Sequence, residues 1–254
     1  MGEWLLHLPP LWMGLVIFAS TYVIAAAVFW CAGKLIKDRS RVVDPGILSP
    51  LGVVFGLLVV FTGAQVWGDL ERARSAVADE ASALRDVLLL GNGLSESESS
   101  KLRIRVWRHI VTSAKEEWPA MAQGRAVIAM PTALRTALQD ILAPPTTDDS
   151  EKAALIGALQ KALEARRQRI VISQSTVSGV RWLGLCLTGL CVLIGIALVH
   201  HDNRRNCRVA LALFATGMAA SILVVAAHSR PFNSAISPAL LHRIGTDSSV
   251  NVDD

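Results

Sequence analysis

The stretch that decides the fold is Ser49-Pro-Leu-Gly-Val-Val-Phe-Gly-Leu-Leu-Val-Val-Phe-Thr-Gly-Ala-Gln-Val-Trp-Gly-Asp69. No ionisable side chain appears before Asp69, and the run is long enough to cross hydrocarbon. A membrane core about 30 Å thick takes roughly 20 helical residues, each rising about 1.5 Å. Taken as Ile47–Trp67, it is one of four candidate spans; the others are Leu11–Gly33, Trp182–Val199 and Val209–Ala227. None of the four contains Asp, Glu, Lys or Arg. Trp12, Trp30, Trp67 and Trp182 mark span ends and Trp4 precedes the first, as interfacial anchors should.

Composition agrees. Of 254 residues, 52% are hydrophobic and 18% charged, against about 25% charged in a typical soluble domain. Mean hydropathy is +0.43. A water-soluble enzyme is thereby disfavoured, and so is a disordered chain, which needs low hydrophobicity and high net charge. A formal charge of +4 gives no footprint for nucleic acid. Cys31, Cys186, Cys191 and Cys207 lie in or beside apolar runs without CxxC spacing, and read as reduced packing residues. The first apolar run is too long for a signal-peptide core and follows no Lys or Arg, so it is expected to remain in the mature protein.

The expected fold class is all-α: a polytopic membrane protein with four transmembrane helices and a helical extramembrane domain between the second and third spans. The segments are a first membrane pair (Met1–Trp67), the insertion (Gly68–Arg181), a second membrane pair (Trp182–His228) and a tail (Ser229–Asp254). In the insertion, Ser95 and Glu98 form a capping-box pattern ahead of a helix over Lys101–Trp118. There Val106, Ile110, Ala114 and Trp118 recur on one face. A shorter helix, Thr132–Leu142, stops at Pro144-Pro145, and Thr147–Glu151 opens another expected to run unbroken into the third span.

No catalytic signature is present: no GxSxG, HExxH, P-loop or GxGxxG after a strand. No catalytic residue, metal ligand or cofactor is therefore expected. His200-His201-Asp202 sit too close together in a short loop to converge on one ion, and Glu116-Glu117 read as a solvated helix face. Without an ionisable residue in any span, a proton relay at mid-membrane is disfavoured.

The second span carries two patterns. Gly52, Gly56 and Gly63 lie on roughly one face and allow another helix to approach closely. Val53, Leu57 and Phe61 recur every four residues, followed by Gln65 and Asp69. Around a central axis this stripe would form an apolar neck opening into a polar mouth; equally, it is an ordinary lipid-facing or packing stripe.

The chain resembles a bacterial bestrophin-like family first defined as a domain of unknown function. The resemblance rests on Phe61-Thr62, Asp69-Leu70-Glu71-Arg72-Ala73-Arg74 and Asp79-Glu80-Ala81-Ser82-Ala83-Leu84-Arg85. Glu117-Trp118-Pro119 with Gly124, the Arg166–Arg169 cluster, Arg230-Pro231-Phe232 and Ile236-Ser237-Pro238 extend it over most of the chain. Through this family it is similar, more distantly, to bestrophins, pentameric ion channels with four spans per subunit and a cytosolic helical domain. With Ala73-Arg74 as register, the resemblance places the channel neck on Val53, Leu57 and Phe61. It also implies a homopentamer in a bacterial inner membrane, with lipid, further copies of the same chain and permeating ions as partners. Nothing resembles the calcium-binding acidic cluster of the animal channels.

Charge alone leaves orientation open. Lys34, Lys37, Arg39, Arg41, Arg204, Arg205 and Arg208 in the short loops oppose Arg72, Arg74, Arg85, Lys161, Arg166, Arg167 and Arg169 at the ends of the insertion. The resemblance implies a cytoplasmic insertion. The alternative to a channel is a non-conducting membrane scaffold or sensor whose helical domain binds a partner.

Overall fold

The structure, a computed structural model, describes residues 9–35, 43–142, 149–175 and 177–249. Trp4, the loop cations Lys37, Arg39 and Arg41, and the Pro144-Pro145 and Thr147 signals lie outside them. The described residues form helices and no strand. The fold is all-α, and four helical stretches are long and apolar enough to cross a membrane. The chain divides into two compact units: Met1–Gly68 with Thr176–Ser229, and Asp69–Ser175 with Arg230–Asp254.

The first unit holds α1 (Pro10–Leu35), the first half of α2 (Leu48–Leu90), α7 (Gly179–Val199) and α8 (Arg204–His228). These helices persist because hydrocarbon offers no partner for backbone N–H and C=O groups, so each span must satisfy them internally. Asp44 accepts a hydrogen bond from the Gly46 N–H at 2.7 Å and starts the turn that leads into α2. Asn203 caps α8 by accepting from the N–H groups of Arg205 and Asn206. Met13 and Ile17 of α1, Phe55 and Val66 of α2, Leu193 of α7 and Ala215 of α8 share one core. Contact is closest at Gly189, where a Cβ would stand 2.5 Å from the Met218 Cε. Absence of a side chain at Gly189 therefore lets α7 and α8 meet. Phe55 and Phe214 pack edge to face at 5.4 Å between centroids, and the Tyr22 hydroxyl joins Thr216 Oγ1 at 2.8 Å.

The second unit holds the remainder of α2, α3 (Glu96–Thr112), α4 (Trp118–Ala122), α5 (Thr132–Leu142), α6 (Asp149–Gln174), α9 (Pro231–Ser234) and α10 (Ala239–Ser249). The capping box at Ser95 and Glu98 is complete: Ser95 Oγ accepts from the Glu98 N–H, and Glu98 accepts from the Ser95 N–H. Val77, Leu84 and Val87 of α2 share a core with Val106 and Ile110 of α3, Leu134 of α5, and Leu155, Leu159 and Ile170 of α6.

Three sequence expectations change. The helix expected over Lys101–Trp118 is not α-helical throughout; Ser113–Glu117 forms a π-helical turn between α3 and α4. Its extra residue shifts the inward face, so Ser113 is fully buried while Ala114 is half-buried. The helix expected to run into the third span is interrupted instead. α6 ends at Gln174, Ser175 turns its hydroxyl back onto the Ile172 carbonyl at 2.7 Å, and Ser178 is extended (ψ 143°) before α7. Such local side-chain bonding competes with helix continuation. The tail is not a separate segment either, because Phe232, Leu241 and Ile244 complete the core of the second unit. Phe232 meets Trp118 edge to face at 5.7 Å, and Trp118 Nε1 donates to the Ile236 carbonyl at 3.1 Å.

A charged pair sits in the same interior. Glu80 and Arg169 are both fully buried, with Arg169 Nε 2.8 Å from Glu80 Oε2. Removing one partner of a buried pair strands the other, at a cost of about 3–5 kcal/mol, whereas an apolar pair of similar volume is often neutral. Glu80→Ala should therefore lower the thermal midpoint of the purified protein sharply, followed by circular dichroism. Glu80→Leu combined with Arg169→Leu should recover part of the loss, with His109 and Ser113 still lacking their partners.

Candidate functional site

The second span contributes an inner and an outer face. Phe55 and Val66 point into the first unit and are buried. At about 100° per residue, Val53, Leu57 and Phe61 fall on the opposite side, and they are 57%, 49% and 68% exposed. Large apolar side chains so exposed need lipid or another subunit to cover them. The stripe then turns polar. Gln65 is half-buried and its Oε1 has no hydrogen-bond partner among the described residues. Asp69, also half-buried, is ion-paired with Arg72 one turn further along α2.

The glycine face flanks this stripe. A Cβ on Gly52 or Gly56 would meet nothing within 4 Å, whereas at Gly63 it would touch the ring of Trp67, a residue of the same helix, at 3.6 Å. None of the three therefore approaches another helix of its own subunit. Exposure does not single out the neck residues, because Val54 and Val60 are also exposed, at 48% and 62%.

A second constellation, missed in the sequence, lies inside the helical unit. Arg169 reaches Glu80 with Nε and Nη2, Glu117 Oε2 at 3.1 Å and Ser113 Oγ at 2.8 Å. Its guanidinium lies 4.7 Å from the Trp118 ring centroid. His109 Nε2 is 3.0 Å from Glu80 Oε1. Arg166 donates to Glu117 Oε1 from Nη2 and Nε at 2.7 and 2.9 Å, and from Nη1 to the Ala129 carbonyl at 2.7 Å. Glu117 is thus no solvated acid, although its neighbour Glu116 is exposed. The π-helical turn brings Ser113 and Glu117 together to Arg169.

The sequence did hold a signal for this cluster. Leu155, Leu159, Ala162, Arg166, Arg169 and Ser173 follow one 4-3-4-3-4 spacing, the core face of α6. Glu80 sits likewise in the Ala73, Val77, Leu84, Val87 series of α2. Charges at core positions of a heptad pattern imply partners across the interior.

Among the described residues, no three His, Cys, Asp or Glu side chains are placed to hold a metal. His201 is paired with Asp202 at 3.1 Å, and His200 Nδ1 faces the Ile196 carbonyl.

The bestrophin-like domain matches residues 15–237. The chain belongs to the bestrophin-like family. Two solved structures of a bacterial bestrophin homologue from Klebsiella pneumoniae share the fold. One, carrying a single substitution, is 14% identical with a TM-score of 0.73, covering 94% of this chain and 99% of its own. The other, phased on zinc, is 11% identical with a TM-score of 0.71, covering 92% and 96%. No curated protein matches in sequence. This bestrophin-like chain is therefore a multi-pass membrane protein in which α2 is the second of four spans.

The buried cluster predicts a pH dependence. Burial alone would raise the pKa of the Glu117 carboxyl. Hydrogen bonds from Arg166 and attraction to Arg166, Arg169 and His109 together outweigh it and hold the pKa below the ordinary 4.5. A depressed pKa contributes stability that is complete above the unfolded value and lost as pH falls through the folded one. Thermal melts of the wild type should fall on acidification below 4.5. Glu117→Gln should be less stable at neutral pH and show a flatter acid limb.

Proposed function

We propose that the protein is the subunit of a homo-oligomeric, pentameric ion channel of a bacterial inner membrane. Ions would pass a neck of Val53, Leu57 and Phe61 and a mouth formed by Gln65 and Asp69. The observation that carries this reading is the bare stripe on α2: Val53, Leu57 and Phe61 are apolar and turned away from their own subunit in a chain of the bestrophin-like family, with the half-buried Gln65 and Asp69 beyond them. A ring of apolar side chains strips water from an ion without replacing it, so such a neck gates by dewetting and does not choose the sign of charge. Gly52 and Gly56 fit close packing between subunits, because they have no neighbour inside one. We place the helical insertion in the cytoplasm on the bestrophin resemblance.

Shrinking the neck should lower its barrier. Val53→Ala, Leu57→Ala and Phe61→Ala together should raise single-channel conductance severalfold in planar bilayers. The same change at Leu51, Leu58 and Val59, which pack on the subunit's own core on the inner side of α2, should not. Simple destabilisation would affect both triplets alike, so a silent neck triplet in an intact oligomer would remove the assignment. Absence of any conductance from the intact wild-type oligomer would favour a scaffold or sensor instead.

Assembly has its own test. Gly56→Leu should leave helix content unchanged while weakening the oligomer in mass photometry, because the added side chain has room in the subunit but not at a tight helix contact. An equally stable oligomer would remove Gly56 from the interface.

A further inference from the structure

The groove between α1 and α8 has a chemistry that the channel reading does not use. It is a cavity of about 600 Å³, within the roughly 300–1,000 Å³ typical of small-ligand sites. Its walls are apolar and aromatic, with Tyr22, Phe29 and Trp30 from α1 and Leu211 from α8. One end is cationic. The helices are antiparallel there, so Lys34 near the end of α1 and Arg204 and Arg208 at the start of α8 gather at one membrane face. Tyr22 lies twelve residues before Lys34, about 18 Å deeper along the helix, where its hydroxyl bonds Thr216.

The two arginines are placed rather than trailing. Arg204 lies over the Phe29 ring at 5.4 Å. Its Nη2 stands 2.6 Å from where a Cβ on Gly33 would be, so a side chain there would push the guanidinium off this place on α1. Arg208 Nε donates to the Arg204 carbonyl at 3.4 Å. Among the described residues, none of the three cations is paired with a carboxylate; Asp202, two positions before Arg204, lies 3.1 Å from His201 Nε2. Three positive charges without a carboxylate partner among the described residues favour an anion, and the apolar groove beneath them favours a chain. The first turn of α8 adds the positive end of a helix.

We propose that this groove binds one anionic glycerophospholipid per subunit, its phosphate held by Arg204, Arg208 and Lys34 and an acyl chain lying along α1 and α8 towards Tyr22. Bulk headgroup attraction would serve any surface arginine; a groove predicts a countable, displaceable lipid. The site stands whether or not the protein conducts.

Native mass spectrometry of the intact oligomer in detergent tests it, with dioleoyl phosphatidylglycerol, dioleoyl phosphatidylcholine and inorganic phosphate as probes. Phosphatidylglycerol should give discrete adducts saturating at one per subunit, favoured about tenfold over phosphatidylcholine. Millimolar phosphate should leave those adducts in place. Arg204→Gln with Arg208→Gln should abolish the preference, as should Gly33→Leu, which fills the groove and displaces Arg204. Lys34→Gln, the mildest change, should weaken it in case the others fail to assemble. Arg205→Gln, in the same turn but outside the groove, should keep it. Equal binding of the two lipids, or equal loss in Arg205→Gln, would overturn the site. Complete displacement by phosphate would reduce it to a free-anion site and overturn the lipid.

Discussion

Arg169 brings a permanent positive charge into the interior of the helical unit, and the side chains around it are arranged to receive it. A guanidinium without counter-ions is not tolerated in such a medium. Glu80 from α2, Glu117 and Ser113 from the π-helical turn, and the Trp118 ring all converge on it. Trp118 in turn holds the tail through Phe232 and the Ile236 carbonyl. Helices distant in sequence are thus tied by directional contacts in addition to apolar burial. Leucine packs acceptably in several registers; an ion pair with Arg169 Nε 2.8 Å from Glu80 Oε2 accepts far fewer. Orientation and register, more than net stabilisation, are what a buried pair of this kind supplies.

The membrane unit follows other rules. Without water, exposure of Val53, Leu57 and Phe61 carries no penalty by itself, because lipid tails cover them as well as protein does. A bare apolar stripe therefore has two physical meanings, lipid contact and an axial lining, and only its polar continuation at Gln65 and Asp69 and the family membership weigh towards the second. Packing inside the unit is carried instead by small residues and interdigitated ends such as Gly189 against Met218.

Much of this architecture was legible in the residues. Four spans could be read because charge is absent from them, a signal that needs no tertiary context. The cap at Ser95 and the bounds of the Thr132–Leu142 helix were also local, and the structure has both. What escaped was non-local. Glu117 meets Arg166 across 49 positions, so in sequence it looks like an ordinary acid beside Glu116. The break between α6 and α7 was hidden because Ser175 and Ser178 are tolerated in helices and end one only when their hydroxyls or φ/ψ turn back locally. The tail read as a segment of its own because its three core residues are spread over thirteen positions. At the candidate neck the sequence supplied the stripe and its spacing, while the axis it would face belongs to an assembly that one chain does not contain.

Tyr22 is the chain's single tyrosine, and its hydroxyl is engaged with Thr216 where α1 meets α8. Nature has thereby installed one spectroscopic reporter at one place. Biosynthetic incorporation of isotope-labelled tyrosine would give a single resonance for the whole subunit, free of the overlap that seven tryptophans impose on optical methods. Its chemical shift would follow the α1–α8 contact in a bilayer directly, without a mutation, a tag or a chemical probe.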